Sequence, residues 1–111
     1  MTRTIVALSF CILALPATTG AQDALTKKGQ EVYAAQKCSL CHSIAGKGNP
    51  KGSLDEVGSK WSGAELREWI VNWKAMAAKH NATRKPPMKD FASLPKADVD
   101  GLVAYMQTLK K

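Results

Sequence analysis

Cysteine is scarce, with 3 among 111 residues. Cys11 lies inside an apolar run and is most simply a small hydrophobe there. A lipid anchor on it would need small residues before it, and Phe10 stands in that place. Cys38 and Cys41 remain, too close in sequence to staple a fold, so a disulfide framework is excluded. Histidine is as sparse, with only His42 and His80, so a zinc site on the two cysteines lacks further thiolates. Acidic residues are few, 9 against 16 Lys+Arg, a net charge of +7. That surplus suggests acidic docking partners or an anionic membrane surface. No basic–aromatic binding motif accompanies it, so nucleic acid is not expected as a partner. Internal repeats, low-complexity tracts and linkers are also missing.

Long apolar runs are nearly absent. The one exception, Ile5 to Leu15, follows the cationic lead Met1-Thr2-Arg3-Thr4 and ends at Pro16. It is too short to span a bilayer comfortably, and Thr19-Gly20-Ala21 offers small residues for processing. Residues 1–21 therefore read as a cleaved signal peptide and 22–111 as one mature domain without a transmembrane segment. With no Arg-Arg pair in the leader, the general secretory route is expected, and the destination is the periplasm.

What is present gathers around Cys38-Ser39-Leu40-Cys41-His42. Two cysteines two residues apart, followed at once by histidine, form a c-type haem attachment signal. Each thiol adds across one vinyl group of a porphyrin, so both sulfurs must reach neighbouring edges of one flat ring. The next residue then brings an imidazole under the iron as proximal ligand. A thioredoxin-like redox pair is the other use of this spacing, but no βαβ pattern surrounds it.

The rest of the chain reads as helix and loop, with no convincing strand. Asp23 can cap a helix running to about Gln36, with Leu25, Gly29, Val32 and Tyr33 on one side. Ser43 to Lys60 is rich in Gly, Pro, Ser and Lys and reads as loop, anchored by Ile44, Leu54 and Val57. Ser62-Gly63-Ala64-Glu65 is a capping box. It opens an amphipathic run carrying Leu66, Trp69, Ile70, Trp73, Met76 and Ala77 to about His80, with Asn81 as terminator. A loop with Pro86-Pro87-Met88 follows. The last helix begins near Pro95 and carries Val99, Leu102, Val103, Met106 and Leu109. Asp98 and Asp100 near its start, and Lys110 and Lys111 at its end, suit the helix dipole.

Taken together, these pieces resemble the class I (monohaem) cytochrome c family, in particular its small bacterial periplasmic members. The likeness rests on Gly29-x-x-x-Tyr33 before the haem signal, Gly52-Ser53-Leu54 after it, Met88-Lys89-Asp90-Phe91, and Leu102-Val103-Ala104-Tyr105-Met106. It implies an all-α cytochrome c fold, three to five helices wrapped around one covalently attached haem c and its iron. Gly29 and Tyr33 would cross Leu102 and Tyr105. By the same likeness Cys38 and Cys41 carry the haem, His42 and Met88 are axial ligands, and a carbonyl between Pro50 and Gly52 accepts from His42. The sequence departs from the family in placing Pro50 before Gly52, and Pro86 and Pro87 before Met88 with Lys89 after it.

Each residue also has a plainer reading. Methionine is usually core filler, which suits Met76 and Met106 on helical stripes better than Met88 in a proline-rich loop. His80 reads as a solvated helix terminus rather than a second imidazole ligand. Leu54, Trp69, Ile70 and Phe91 are expected to pack on the haem, and Trp61 to donate to a propionate. Lys37, Lys47, Lys51, Lys85 and Lys89 would ring an exposed haem edge and steer acidic redox proteins. The expected function is a monomeric, soluble one-electron carrier, not an enzyme. Two alternatives stand beside it: a fixed haem subunit of a larger oxidoreductase complex, and a haem enzyme or gas sensor with a labile sixth ligand.

Overall fold

The computed structural model describes residues 19–111, so most of the expected leader lies outside the described residues. Five α-helices dominate: α1 (Thr19–Ala35), α2 (Val57–Lys60), α3 (Gly63–Val71), α4 (Trp73–Lys79) and α5 (Lys96–Gln107). The expectation of a helical fold holds.

The first and last helices cross at a point where neither can carry a side chain. A β-carbon on Gly29 would collide with the Gly101 carbonyl oxygen and lie 2.7 Å from Tyr105 Cβ. Gly101 is also confined, though less severely, with the Gly29 nitrogen 2.9 Å from where its β-carbon would stand. The sequence reading set Gly29 and Tyr33 against Leu102 and Tyr105; Gly29 does meet Tyr105, and its nearest backbone contact is Gly101, which that reading did not name. Tyr33 and Tyr105 pack edge to face beside this crossing, with ring centroids 5.9 Å apart. Val32, Val99, Leu102, Val103 and Met106 then join Leu66, Ile70 and Phe91 in one core.

Several local readings need correction. Helix α1 begins at Thr19, so Asp23 lies within it rather than capping it, and Leu25 is 39% exposed rather than facing the core. The stretch from Ser43 to Lys60 is not wholly loop. β1 (Ser43–Ile44) pairs antiparallel with β2 (Lys47–Gly48) through the tight turn Ala45-Gly46, both at positive φ, 51° and 78°. Such primed turns match the natural twist of a hairpin. A 3-10 turn (Pro50–Gly52) and α2 follow.

The capping box at Ser62 is in place: Ser62 Oγ accepts from Glu65 N–H, and Glu65 Oε1 accepts from Ser62 N–H, both at 3.1 Å. The amphipathic run it opens is broken in two at Asn72, whose φ of −140° leaves the helical region. The side-chain amide of Asn72 donates to Glu68 Oε2 at 3.2 Å. Its backbone N–H still donates to the Glu68 carbonyl at 2.8 Å, so α3 closes on Asn72 and α4 starts from it. Asn81, at φ 53°, closes α4 in the left-handed conformation expected of a terminator. Helix α5 stops at Gln107, leaving Leu109, Lys110 and Lys111 beyond it.

Candidate functional site

Helices α1, α2, α3 and α5, the Cys38–His42 turn and the loop before α5 line a largely apolar cavity of about 420 Å³. Volumes of about 300–1,000 Å³ are usual for sites that hold a small-molecule or cofactor ligand. Cys38, His42, Leu54, Trp69, Ile70, Met88 and Phe91 all line it. Residues far apart in sequence, before α2 and after α4, thus face one space. Cys41 does not line the cavity; it is exposed, while Cys38 is partly buried. Trp61 lines it as well.

The cysteines sit at a sharp change of chain direction. Lys37 takes the left-handed conformation at φ 57°, ending α1, and a 3-10 turn (Cys38–Leu40) leads to His42. The His42 N–H closes this turn on the Cys38 carbonyl at 2.9 Å. Burial pushes the Cys38 thiol above its ordinary pKa; its own backbone amide opposes this and the neighbouring Cys41 adds to it.

The imidazole of His42 is fixed by one bond. Its Nδ1 lies 2.9 Å from the Gly52 carbonyl oxygen. A carbonyl oxygen can only accept, so Nδ1 carries the proton and Nε2 keeps a lone pair. Gly52 is therefore the acceptor within the loop that the sequence reading had narrowed to Pro50–Gly52. Burial holds the imidazole below its ordinary pKa; the Gly52 bond works against that, and the Arg84 cation adds to the depression. A neutral ring with one free nitrogen, oriented by a backbone carbonyl, is the state in which histidine binds a metal.

Two buried polar atoms on the wall have no partner among the described residues: the Tyr33 hydroxyl and Trp69 Nε1. Burial, and then the charges of Cys38 and Tyr105, push the Tyr33 phenol up to about 12, so it keeps its proton and remains a donor. Unsatisfied buried donors cost free energy. A planar, mostly apolar group with a few carboxylate oxygens at its edge would satisfy them. The residues present therefore fit a haem: one thiol on the wall and a second exposed three residues on, an imidazole with a free nitrogen, a thioether, an apolar wall and orphaned donors.

Some lining residues were not singled out from sequence. Arg84 and Lys60 carry no periodic signal, and Met106 and Leu102 were read only as a core stripe. Met106 is buried and lines the cavity, whereas Met76 is buried away from it. Met106 is thus the one other described thioether facing the site. Trp69, rather than Trp61, has the indole nitrogen that is both buried and unpartnered. His80 is exposed as expected, but it also packs on Trp61, with centroids 4.7 Å apart, and stacks on Trp69 at 5.7 Å.

This helical shell, closing on a cavity beside a Cys-x-x-Cys-His turn, defines a c-type haem protein. A family model described as Cytochrome c matches residues 26–110. The chain belongs to the cytochrome c family, whose members bind covalent haem c with its iron and transfer electrons through it. No curated protein and no solved structure matches the chain.

Proposed function

We propose that the protein is a soluble periplasmic one-electron carrier whose haem is attached at Cys38 and Cys41 and ligated by His42 and Met88. The observation that carries this is the pairing of an oriented imidazole with a thioether on the wall of one cavity. When bound, the haem supplies a one-electron couple whose potential is raised by thioether ligation. The chain does the rest. Gly52 orients His42, the Pro86-Pro87 pair restricts the approach of Met88, and Leu54, Ile70 and Phe91 exclude water. Trp69 and Tyr33 offer donors to the edge of the group. Were His42 and Met88 both to hold the iron, no position would be left for substrate or gas, which favours a carrier over an enzyme.

Cleavage of the leader after Ala21 is compatible with this fold, because Gly20 and Ala21 are exposed and removing them costs no core contact. It would bring Asp23 close to the new helix start, where an acidic side chain suits the dipole. No described helix is long and apolar enough to cross a membrane.

The ligand set is tested by optical spectroscopy of the oxidised, haem-loaded protein. A weak far-red sulfur-to-iron band is expected in the wild type and in Met106→Leu, and its loss in Met88→Ala. Reduced wild type is expected to bind little carbon monoxide at neutral pH and Met88→Ala to bind it readily. Survival of the band in Met88→Ala would move the assignment to Met106.

A further inference from the structure

Arg84 stands out among the cations of the chain by where its charge is held. It lies in the loop that leads to Met88, yet its guanidinium packs over the α-carbon of Gly52, on the other ligand-bearing loop. A β-carbon at position 52 would collide with the Cys41 carbonyl oxygen and lie 2.9 Å from Arg84 Cζ. Gly52 is also the residue whose carbonyl accepts from His42 Nδ1 at 2.9 Å. One flat guanidinium therefore touches the support of His42 while belonging to the segment that presents Met88. It lines the cavity as well.

The charge is uncompensated. Arg67, by contrast, is paired with Asp100, which also accepts from Lys96. Among the described residues no carboxylate lies within ion-pair distance of Arg84. Arginine remains protonated at any accessible pH, so this is a permanent positive charge on the cavity wall with no local counter-charge. The atoms that meet Gly52 are those of the charged guanidinium itself, not of the aliphatic stem.

We propose that Arg84 is a positioning residue that ties the Met88 loop to the carbonyl orienting His42, and that its fixed charge favours the reduced state of the bound haem. This rests on the His42–Met88 reading above. The physical basis is simple: oxidation adds one positive charge to the site, and a cation held nearby opposes it. Arg84 is itself exposed, so solvent screens much of the interaction. The effect is then of moderate size, about two- to tenfold in the reduction equilibrium. The planar fork also spans both loops at once, which a flexible ammonium does less well.

The test compares haem-loaded wild type with Arg84→Gln, Arg84→Met and Arg84→Lys. Arg84→Met retains an apolar stem, so that loss of charge can be read even if Arg84→Gln loads poorly. The midpoint of reduction is measured by spectroelectrochemical titration at low and at physiological ionic strength, with the far-red band recorded alongside. The two neutral variants are expected to shift the equilibrium toward the oxidised form by about two- to tenfold, with a smaller shift at the higher ionic strength. Arg84→Lys is expected to recover most of it. A midpoint unchanged in both neutral variants, with the band in place, would overturn the proposal. So would an Arg84→Lys midpoint displaced as far as theirs, since shape rather than charge would then matter. Lack of the band in the wild type would instead overturn the ligation of Met88, and the midpoint comparison would still decide the role of Arg84.

Discussion

Trp69 illustrates how one buried atom constrains the site. Its ring is half-buried on the cavity wall and its Nε1 has no partner among the described residues. A hydrogen bond to a charged acceptor contributes about 1.5–3 kcal/mol. If Nε1 donates to the haem edge, Trp69→Phe keeps an aromatic ring but removes the donor together with part of the indole's packing, so Trp61→Phe serves as the packing control. The expected loss is then about 2 kcal/mol in denaturant unfolding of the haem-loaded protein. An equal loss in Trp61→Phe would show that indole packing, not the donor, is responsible. Much at this scale was readable beforehand, because attachment chemistry demands particular residues at particular spacing. Cys38, Cys41 and His42 could be named for that reason, whereas Met88 was named from the family resemblance and its place in a proline-rich loop. Arg84 could not: a single arginine in an irregular loop belongs to no period, and its significance comes only from its contact with Gly52.

At the scale of elements, the α1–α5 crossing decides whether a shell exists to hold the group. Gly29→Ala gains about 1 kcal/mol in helix propensity. Against that, the new β-carbon meets backbone of the partner helix, its nearest atoms including the Gly101 carbonyl carbon at 2.6 Å, and backbone cannot rotate away. The clash is expected to win, with net destabilisation of about 2 kcal/mol or more in thermal unfolding. The α3–α5 contact gives a second, pH-dependent case. Asp100 accepts from Lys96 at 2.8 Å and from Arg67 on α3. These bonds hold its carboxyl below the ordinary range. Because the folded value lies below the unfolded one, this contribution is present above the unfolded pKa and disappears as pH falls through the folded value. Asp100→Asn is therefore expected to be less stable than wild type at neutral pH, with the gap closing in acid; a constant gap across pH would assign it to packing. Helices were legible here through periodicity and the Ser62–Glu65 box. The β1–β2 ribbon was not, since Ala45-Gly46 lacks the usual Asn-Gly or Asp-Gly signal and two-residue strands show no alternation. The break at Asn72 was hidden because the apolar spacing continues across it.

At the scale of the whole molecule the charge is uneven in sign and placed where it can act. Lys37, Lys47, Lys51, Lys85 and Lys89 are all exposed, on the segments that carry the attachment turn and Met88. Leu40, between the two cysteines, is an apolar side chain 71% exposed in their midst. An apolar centre with a cationic surround fits a transient contact in which electrostatics sets the encounter rate and little area need be buried. Field steering of this kind changes association rates by 10- to 1,000-fold and weakens as the screening length falls to about 10 Å at 0.1 M salt. The haem-loaded protein should therefore exchange electrons faster with an anionic redox complex than with a cationic one of similar potential, and the difference should shrink with added salt. Net charge alone would give the same trend, so placement needs a separate comparison. Reversing Lys47 and Lys51 to glutamate is expected to slow stopped-flow reduction by an acidic redox protein about tenfold. Reversing Lys27 and Lys74, on α1 and α4, changes the net charge equally but leaves the two ligand-bearing segments intact. Equal slowing in both pairs would mean that the total charge steers the partner; a larger effect at Lys47 and Lys51 would mean that the partner docks against the attachment turn.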